Sequence, residues 1–285
     1  MMKKLLKTGI SFLKLLNDKP KVYWWSMINE KKLAYENFGD FLTPYIVEKL
    51  TNKKPILFSP KSKFSFFFKH SLMIGSIISR SQKRTLVWGS GIIKKDDLIN
   101  GGNFLAVRGP KTAQRIKDLG YASTEVYGDP ALLLPILYNP KIEKKYTIGI
   151  IPHFFHYEEL VNVYPEKDKT VLFINLLTNN VEDVINQILS CEKIISTSLH
   201  GLIVAHAYQI PAIWWKYGKL NGDDIKFYDY LESLDLKINS NFAGLTLDEV
   251  MVLDQYNLPD INKLVSVRKG LLKTFPYKLN KNFLE

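Results

Sequence analysis

A chain of 285 residues, 46% of them hydrophobic, is long enough for two domains of ordinary size or for one large domain, and its composition excludes a disordered protein. The net charge of +11 and the isoelectric point near 9.4 predict an anionic partner, which can be nucleic acid, a membrane surface or a phosphorylated substrate. The single cysteine, Cys191, excludes an intramolecular disulfide framework and a multi-cysteine metal site, and it fits a reducing, cytoplasmic location.

The first twenty residues are basic and amphipathic, and no run in the chain has the apolar length of a transmembrane helix. Lys7 and Lys14 interrupt the apolar part, which disfavours a signal peptide. The pattern predicts an amphipathic helix. Such a helix either lies on an anionic bilayer surface or packs against the body of the protein.

Next in the chain, the segment Lys21–Trp25 is typical of a first core strand. Further along, Asn37–Asp40 predicts a turn followed by a helix. Asp40 is expected as the N-cap, and Gly39 allows the backbone to pass close to a ligand. The alternative is a capped helix with no functional role.

The segment Phe64–Ile78 is rich in phenylalanine and flanked by basic residues. It is too short to span a bilayer. The pattern favours a buried helix that lines the core or a pocket, with an apolar surface that meets a lipid tail or the membrane as the alternative. His70 is expected to be structural.

Two strands in the first half are predicted to end in groups that suit anions. Arg84–Ile92 runs into Gly89, Ser90 and Gly91, where close backbone approach permits amides to cradle an anion. Phe104–Val107 is followed by Arg108, at the start of a helix that opens at Pro110. Arg108 is placed for bidentate capture of carboxylate or phosphate, the alternative being an ordinary surface ion pair.

A short strand at Thr124–Tyr127 and the turn at Asp129 lead to a charged linker at Lys141–Lys145, which predicts domains over residues 1–140 and 141–285. The second half opens with a strand at Tyr146–Pro152, then a strand at Val171–Ile174 and a helix at Val181–Leu189. His153 and His156 follow the first of these strands. No nearby carboxylate or cysteine completes a ligand set, so no metal site is expected there.

The segment from Lys193 to Trp215 predicts a complete strand–loop–helix–strand unit. Ser198 and its polar neighbours are N-cap types, and His200 stands in the first turn of the helix, beside amides that attract anions. This setting suits a general acid or base, the alternative being a histidine that only caps a loop. Lys216 and Lys219 follow the last strand and are expected at the mouth of the same cleft.

The remaining chain, from Thr246 on, is predicted to be helical with a basic face that is either solvated or in contact with a membrane. Because both halves alternate strands and helices, the fold class is α/β, with two doubly wound Rossmann-like domains facing a cleft.

With these motifs assembled, the chain resembles the polysaccharide pyruvyl transferase family. The similar blocks are NFGD at Asn37–Asp40, VWGSGI at Val87–Ile92, RGPKT at Arg108–Thr112, YGDPALLLP at Tyr127–Pro135 and ISTSLHGLIVAHAYQIPAIWW up to Trp215. The resemblance implies a fold similar to the type B glycosyltransferases. It also implies transfer of a pyruvate ketal group from phosphoenolpyruvate to two hydroxyls of a sugar. That sugar is usually part of a lipid-linked precursor of a capsule, exopolysaccharide or bacterial cell wall.

The resemblance and the residue patterns together assign roles. His200 and Asp40 are the expected catalytic acid and base. The residues expected to bind substrate are Arg108, Lys216, Lys219, Asn37, Gly39, Gly89, Ser90, Gly91, Ser198 and Asp129. We expect neither a metal nor a cofactor, because cations alone can hold the leaving phosphate.

Two alternatives remain from the sequence. One is a glycosyltransferase of the same fold that uses a nucleotide sugar, with Trp214 and Trp215 as a slot for the base. The other is a non-catalytic basic module that binds membrane or nucleic acid. No recognisable nucleic-acid motif is present, so nucleic acid is not expected as a partner. The predicted location is the cytoplasm, with peripheral contact at the inner face of the membrane.

Overall fold

The first half of the chain forms a five-stranded parallel sheet. A computed structural model describes residues 18–164, 169–237 and 242–283. The strands are β1 (Lys21–Tyr23), β3 (Ile56–Leu57), β4 (His70–Leu72), β5 (Thr85–Trp88) and β6 (Asn103–Ala106), in the order β3-β1-β4-β5-β6. The helices of this half are α1 (Met27–Lys31), α2 (Phe38–Thr51), α3 (Pro110–Asp118) and α4 (Leu134–Leu137), with short 3-10 turns at Ile78–Arg80 and Pro130–Leu133.

The second half forms a four-stranded parallel sheet with the order β11-β10-β7-β8. Its strands are β7 (Tyr146–Ile151), β8 (Val171–Phe173), β10 (Cys191–Ser196) and β11 (Ala212–Trp214). Its helices are α5 (Tyr157–Val163), α6 (Val181–Leu189), α7 (Leu199–Ala207), α8 (Ile225–Ser233), α9 (Leu247–Met251) and α10 (Ile261–Thr274), with a 3-10 turn at Lys281–Phe283. At the centre Ile195 lies beside Ile150 and Ile213, and the last three residues of β10 are all buried, as in a parallel strand that is covered on both faces.

The two sheets are joined by pairing and by packing. Glu36–Asn37 (β2) pairs antiparallel with Leu177–Thr178 (β9), which links the two halves directly. Trp88 of the first sheet and Ile194 of the second belong to one continuous hydrophobic core. These two sheets and their helices confirm a mixed α/β protein with parallel, Rossmann-like sheets.

Helix α7 lies inside this core. All nine of its residues are buried, because the segment between Leu199 and Ala207 is apolar on almost every face. It begins directly after β10 and ends before Pro211, as the sequence predicts. The described part of the chain contains no helix that is long and apolar enough to cross a membrane.

Two predictions about helices were wrong. Helix α2 begins at Phe38 with Asn37 as its N-cap, so Asp40 stands in the first turn and is not the cap. The segment Phe64–Ile78 is not a helix, because it forms turns and then β4.

Other predictions have mixed outcomes. His70 is structural as expected, with its Nε2 3.0 Å from Thr85 Oγ1. On the C-terminal helix, Arg268 is not part of a solvated face, because it donates to the carbonyl oxygens of Leu132 and Ala207. The predicted N-terminal amphipathic helix falls in residues 1–17, outside the described residues.

Candidate active site

Two helix starts from different halves of the chain meet at His200. The first turn of α2 carries Gly39 and Asp40, and the first turn of α7 carries His200. A Cβ atom on Gly39 would lie 2.0 Å from His200 Nδ1, so the imidazole packs directly on the glycine backbone. The opening turn of a helix has amides without internal acceptors, so this region carries partial positive charge.

His200 faces a buried carboxylate. Its Nε2 lies 3.7 Å from Asp129 Oδ2, and neither atom has a hydrogen-bond partner among the described residues. The other oxygen of Asp129 accepts a hydrogen bond of 2.9 Å from the amide of Ala131, which fixes the carboxylate. Asp129 is fully buried and His200 is 9% exposed. The structure therefore brings together two predicted residues that stand 71 positions apart in the sequence.

Asp40 lies on the other side of the meeting point. Its Oδ2 accepts a hydrogen bond of 2.6 Å from Asn37 Nδ2. A Cβ on Gly75, which follows β4, would lie 3.3 Å from Asp40 Oδ1. Burial raises the pKa of the Asp40 carboxyl, while the hydrogen bond from Asn37 and the charge of His200 oppose that rise. A raised pKa makes the carboxylate a stronger base than an exposed aspartate.

Lys226, which the sequence did not indicate, adds a positive charge to the site. Burial lowers the pKa of Lys226, in the first turn of α8, to about 8, and the charge of Arg108 acts in the same direction. The charges of Asp224 and Asp40 oppose the shift. Lys226 is thus a partly desolvated cation within the field of Asp40, a position suited to an anionic ligand.

His153 adjoins the same region from the end of β7. Its backbone amide donates a hydrogen bond of 2.7 Å to Thr197 Oγ1. Burial lowers the pKa of the His153 imidazole to about 3, and the charge of Lys226 contributes. His153 is therefore neutral near pH 7. Among the described residues there is no group of three or more His, Cys, Asp or Glu side chains placed to hold a metal ion.

Arg108 is buried and bound to protein acceptors. Its Nε donates to Asp229 Oδ2 at 3.0 Å, and its two terminal nitrogens donate at 2.7 Å to Ser76 Oγ and to the carbonyl of Ile92. Asp229 also accepts from the amide and hydroxyl of Thr112. The ion pair is fully buried, so the alternative of a surface pair was wrong. Donor binding by Arg108 stays a prediction.

The loop Gly89–Gly91 supports the site from behind. The amide of Gly89 donates to Ala106 and that of Gly91 to Gly75, and the Ser90 hydroxyl also donates to the Gly75 carbonyl, at 2.8 Å. A Cβ on Gly89 would lie 2.1 Å from Pro130, next to Asp129. These glycines permit close packing around the loop that carries Asp129. An amide cradle for an anion at this loop stays a prediction.

The remaining predicted residues lie around the start of α7 and after β11. Ser198 is the N-cap residue of α7, and its amide donates to Ser196 Oγ at 3.0 Å. Lys216 forms an ion pair of 2.7 Å with Asp224, whose charge also acts on Lys226. Lys219 is exposed on the same loop.

Sequence patterns missed two residues here. Lys226 stands in an ordinary amphipathic stretch, where a lysine predicts only a solvated helix face. Asp229 follows in the same stretch and belongs to no motif, whereas in the structure it is the buried partner of Arg108. The sequence offers one signal for both residues: Lys226 and Asp229 stand about one helical turn apart, after a strand and a loop.

The geometry of the site defines the class of this protein. It is a parallel α/β protein with acid, base and cationic groups gathered where strands of both sheets end, as in enzymes that act on anionic substrates.

Comparison with known families agrees with this class. A model of the family "Polysaccharide pyruvyl transferase" matches residues 5–218. The chain belongs to the polysaccharide pyruvyl transferase family, so it is a transferase of the pyruvyl transfer class that acts on polysaccharide, and the resemblance in its motifs is confirmed. An uncharacterized protein of Acanthamoeba polyphaga mimivirus is 32% identical over 237 residues, which cover 79% of this chain and 81% of that protein. No solved structure matches the chain.

Proposed function

We propose that the chain transfers a pyruvate ketal group from phosphoenolpyruvate to a sugar at the site around His200. The observation that carries the proposal is the pair formed by His200 Nε2 and Asp129 Oδ2, 3.7 Å apart, buried, and without other partners among the described residues. In this proposal the Asp129 carboxylate orients the His200 imidazole through Nε2, and the imidazole acts as the general acid. Such a carboxylate holds an imidazole in one tautomer and stabilises its protonated form.

The proposed reaction begins with a proton transfer from His200 to the methylene carbon of phosphoenolpyruvate. One sugar hydroxyl adds to the resulting oxocarbenium-like carbon and gives its proton to Asp40, whose raised pKa suits that role. The C–O bond to phosphate then breaks, and the second hydroxyl closes the ketal. The protons of the two hydroxyls account for the new methyl hydrogen and for the protonation of the departing phosphate.

Binding of the donor requires cations and amide donors, because phosphoenolpyruvate carries a phosphate and a carboxylate. Lys226 and the opening turns of α2 and α7 supply both kinds of group near His200. The sequence predicts that Arg108 binds the donor. Its bond to Asp229 favours a positioning role, in which the pair fixes α8 and hence Lys226.

The acceptor in this proposal is a sugar of a lipid-linked oligosaccharide or polysaccharide repeat unit, from a capsule or exopolysaccharide pathway. The location that fits it is the inner face of the cytoplasmic membrane. We propose that the two parallel sheets form domains over residues 1–140 and 141–285, arranged as in the type B glycosyltransferases, with the donor between them. No metal or cofactor is assigned a role.

Thermal stabilisation tests donor identity directly, since a ligand that binds only the folded protein raises its melting temperature. We expect phosphoenolpyruvate to raise the melting temperature and a panel of nucleotide sugars to leave it unchanged. Lys226→Gln should remove the shift. The matched control, Lys237→Gln, removes an exposed lysine just after α8 and should keep it.

A shift with a nucleotide sugar and none with phosphoenolpyruvate would replace the proposal with a glycosyltransferase of the same fold. Arg108→Ala is a poor probe here. It leaves the carboxylate of Asp229 buried without its charge partner, which costs about 3–5 kcal/mol of stability and confounds binding with unfolding.

A further inference from the structure

The positive charge of the chain is concentrated in one stretch. Residues 49–95 contain eleven Lys and Arg and no Asp or Glu, so this stretch carries a net +11. The whole chain has 39 basic and 28 acidic residues, also a net +11, and the remainder is therefore balanced. A stretch of 47 residues whose charged side chains are all positive indicates attraction to an anionic partner. Charges that only keep a protein soluble are usually of both signs.

The topology of the first sheet gathers much of this charge on one edge. All five strands are parallel, so their amino ends lie together. Lys54 precedes β3, Lys69 precedes β4 and Arg84 precedes β5. This edge is opposite the carboxyl ends of the same strands, where Gly75 lies beside Asp40. The basic edge is therefore a different surface from the His200 site.

Two phenylalanines project from this basic edge. Phe66 and Phe67 are 68% and 69% exposed. Their rings meet edge to face with centroids 5.6 Å apart. Consecutive turns shape the loop, with Ser65 donating to Ser62 and Phe67 donating to Phe64 through backbone hydrogen bonds. The loop thus holds two large apolar side chains in water.

A cation braces the tip of this loop. The Arg84 guanidinium lies 4.3 Å from the centroid of the Phe66 ring, and its Nη1 donates a hydrogen bond of 2.7 Å to the Phe66 carbonyl. One face of the ring is covered by Arg84, and Phe67 meets Phe66 at 88°. The pair forms a wedge rather than a flat platform on which nucleic-acid bases stack. Exposed aromatic side chains with cations around them suit the boundary between lipid headgroups and acyl chains.

We propose that this surface docks the protein on the face of an anionic bilayer. The amino-edge patch consists of Phe66 and Phe67 together with Lys61, Lys63, Lys83 and Arg84, all of which are exposed. The ammonium of Lys69 is not counted in the patch, because it donates to the Pro276 carbonyl. Phe66 and Phe67 enter the headgroup layer, and the basic residues pair with lipid phosphates and other anionic headgroups. Membrane docking by this patch does not require the chemistry proposed at His200.

Vesicle co-sedimentation of the full chain tests the patch. Vesicles of phosphatidylcholine alone are compared with an equal mixture of phosphatidylcholine and phosphatidylglycerol, at low and at high salt. We expect binding to the mixed vesicles only, weakened by salt. Phe66→Ser combined with Phe67→Ser should lower the partition at least about tenfold. Val252→Ser, which removes a side chain that is 82% exposed elsewhere, should not lower it.

A charge-matched pair of variants tests the cations. Lys61→Gln with Lys63→Gln should lower the partition about thirtyfold, since each basic residue near an anionic surface contributes about fivefold. Lys94→Gln with Lys95→Gln removes the same charge beyond the carboxyl end of β5 and should have a much smaller effect. All four positions are exposed, so melting temperatures close to that of the unmodified protein confirm folding.

Two results would overturn the proposal. Vesicle binding that survives both patch variants would assign the membrane contact to another part of the chain, such as residues 1–17. Tight binding of a single-stranded oligonucleotide that the Phe66 and Phe67 variant abolishes, with no vesicle binding, would make the patch a nucleic-acid surface. Donor stabilisation by phosphoenolpyruvate is a separate readout, so either proposal can fail while the other stands.

Discussion

Two buried polar atoms, His200 Nε2 and Asp129 Oδ2, face each other 3.7 Å apart with no other partner among the described residues. A buried polar group without a partner costs roughly 1–3 kcal/mol of stability. Two such groups facing each other therefore indicate a functional role. We therefore expect Asp129→Asn to lower kcat about 10²- to 10⁴-fold. The substitution keeps the shape of the side chain and removes the charge that orients His200.

The control for this prediction is Asp118→Asn, an exposed aspartate at the end of α3. It should leave kcat unchanged. In a double-mutant cycle, adding His200→Ala to Asp129→Asn should cost little more than His200→Ala alone, because the two residues act as one unit. Fully additive losses would mean that Asp129 only shapes the turn before Pro130.

Lys226 gives a prediction about stability whose sign follows from its pKa. The folded pKa of about 8 lies below the ordinary value of 10.5, so between these values the unfolded chain holds a proton that the folded chain lacks. Stability therefore rises with pH across this window, by at most about 1.4 kcal/mol per pH unit. Lys226→Met should remove that rise and should increase the melting temperature near pH 7, where the buried charge disfavours folding.

The same variant should lose stabilisation by phosphoenolpyruvate, because the donor would lose its cation. A more stable protein that no longer binds the donor is the expected trade between stability and function. Thermal unfolding of Lys226→Met and of the unmodified chain, each followed with pH and with donor, measures both effects. An unchanged slope, or retained donor binding, contradicts this role.

At the residue scale, the sequence predicts which residues belong to the site better than it predicts which residues contact each other. His200 and Asp40 were found because each stands at a predicted helix start. The contact between His200 and Asp129, and that between Arg108 and Asp229, join residues 71 and 121 positions apart, and no spacing rule reports such contacts. Lys226 was missed because its depressed pKa comes from burial by other elements, which its own segment does not encode.

At the scale of elements, the packing of α2 on α7 depends on one residue without a side chain. Gly39→Ala introduces a Cβ atom 2.0 Å from His200 Nδ1, far inside van der Waals contact. Alanine is the better helix former by about 1 kcal/mol, so propensity alone would stabilise α2. We expect the clash to displace the imidazole and to lower kcat at least about tenfold, with a small change in melting temperature.

The matched control is Gly270→Ala in α10. There a Cβ would lie 3.2 Å from Val126 Cγ1, a contact that a small side-chain shift relieves. Activity should be retained in this variant. Equal kinetics for the two alanine variants would show that His200 does not depend on the space that Gly39 leaves.

The elements that the sequence predicts well are those set by local chemistry. Helix α6 spans Val181–Leu189 as predicted, because Asn180 caps it and apolar residues recur at helical spacing. The segment Phe64–Ile78 was misjudged because its apolar composition indicates burial. Its strand β4 is indeed buried, whereas Phe66 and Phe67 are not, and their exposure is decided by turns at Ser62 and Ser65.

At the scale of the whole molecule, the two sheets share one core. The cluster that contains Trp88 of β5 and Ile194 of β10 is continuous, and β2 pairs with β9 across the two halves. Sequence patterns indicate two repeating halves. They do not indicate that helix α10, near the end of the chain, packs back on the first sheet. There Trp88 Nε1 of β5 donates a hydrogen bond of 3.0 Å to the Leu271 carbonyl of α10.

Arg268 of α10 tests this connection. Its Nε donates at 2.8 Å to the carbonyl of Leu132 in the first half, and its Nη2 donates at 2.6 Å to the carbonyl of Ala207 at the end of α7. Arg268→Ala leaves both carbonyls without that donor. It should lower the free energy of unfolding by about 2–3 kcal/mol, a value typical of hydrogen bonds to a charged group.

Calorimetry shows whether the two halves of the chain unfold together or independently. With a shared core, the unmodified chain should unfold in a single transition, and Arg268→Ala should lower the temperature of that whole transition by roughly 4–8 °C. Lys269→Ala, at an exposed position on the same helix, should leave it within about a degree because exposed substitutions change stability little. Two separate transitions, of which Arg268→Ala moves only one, would mean that the halves fold independently and that α10 stabilises one of them alone.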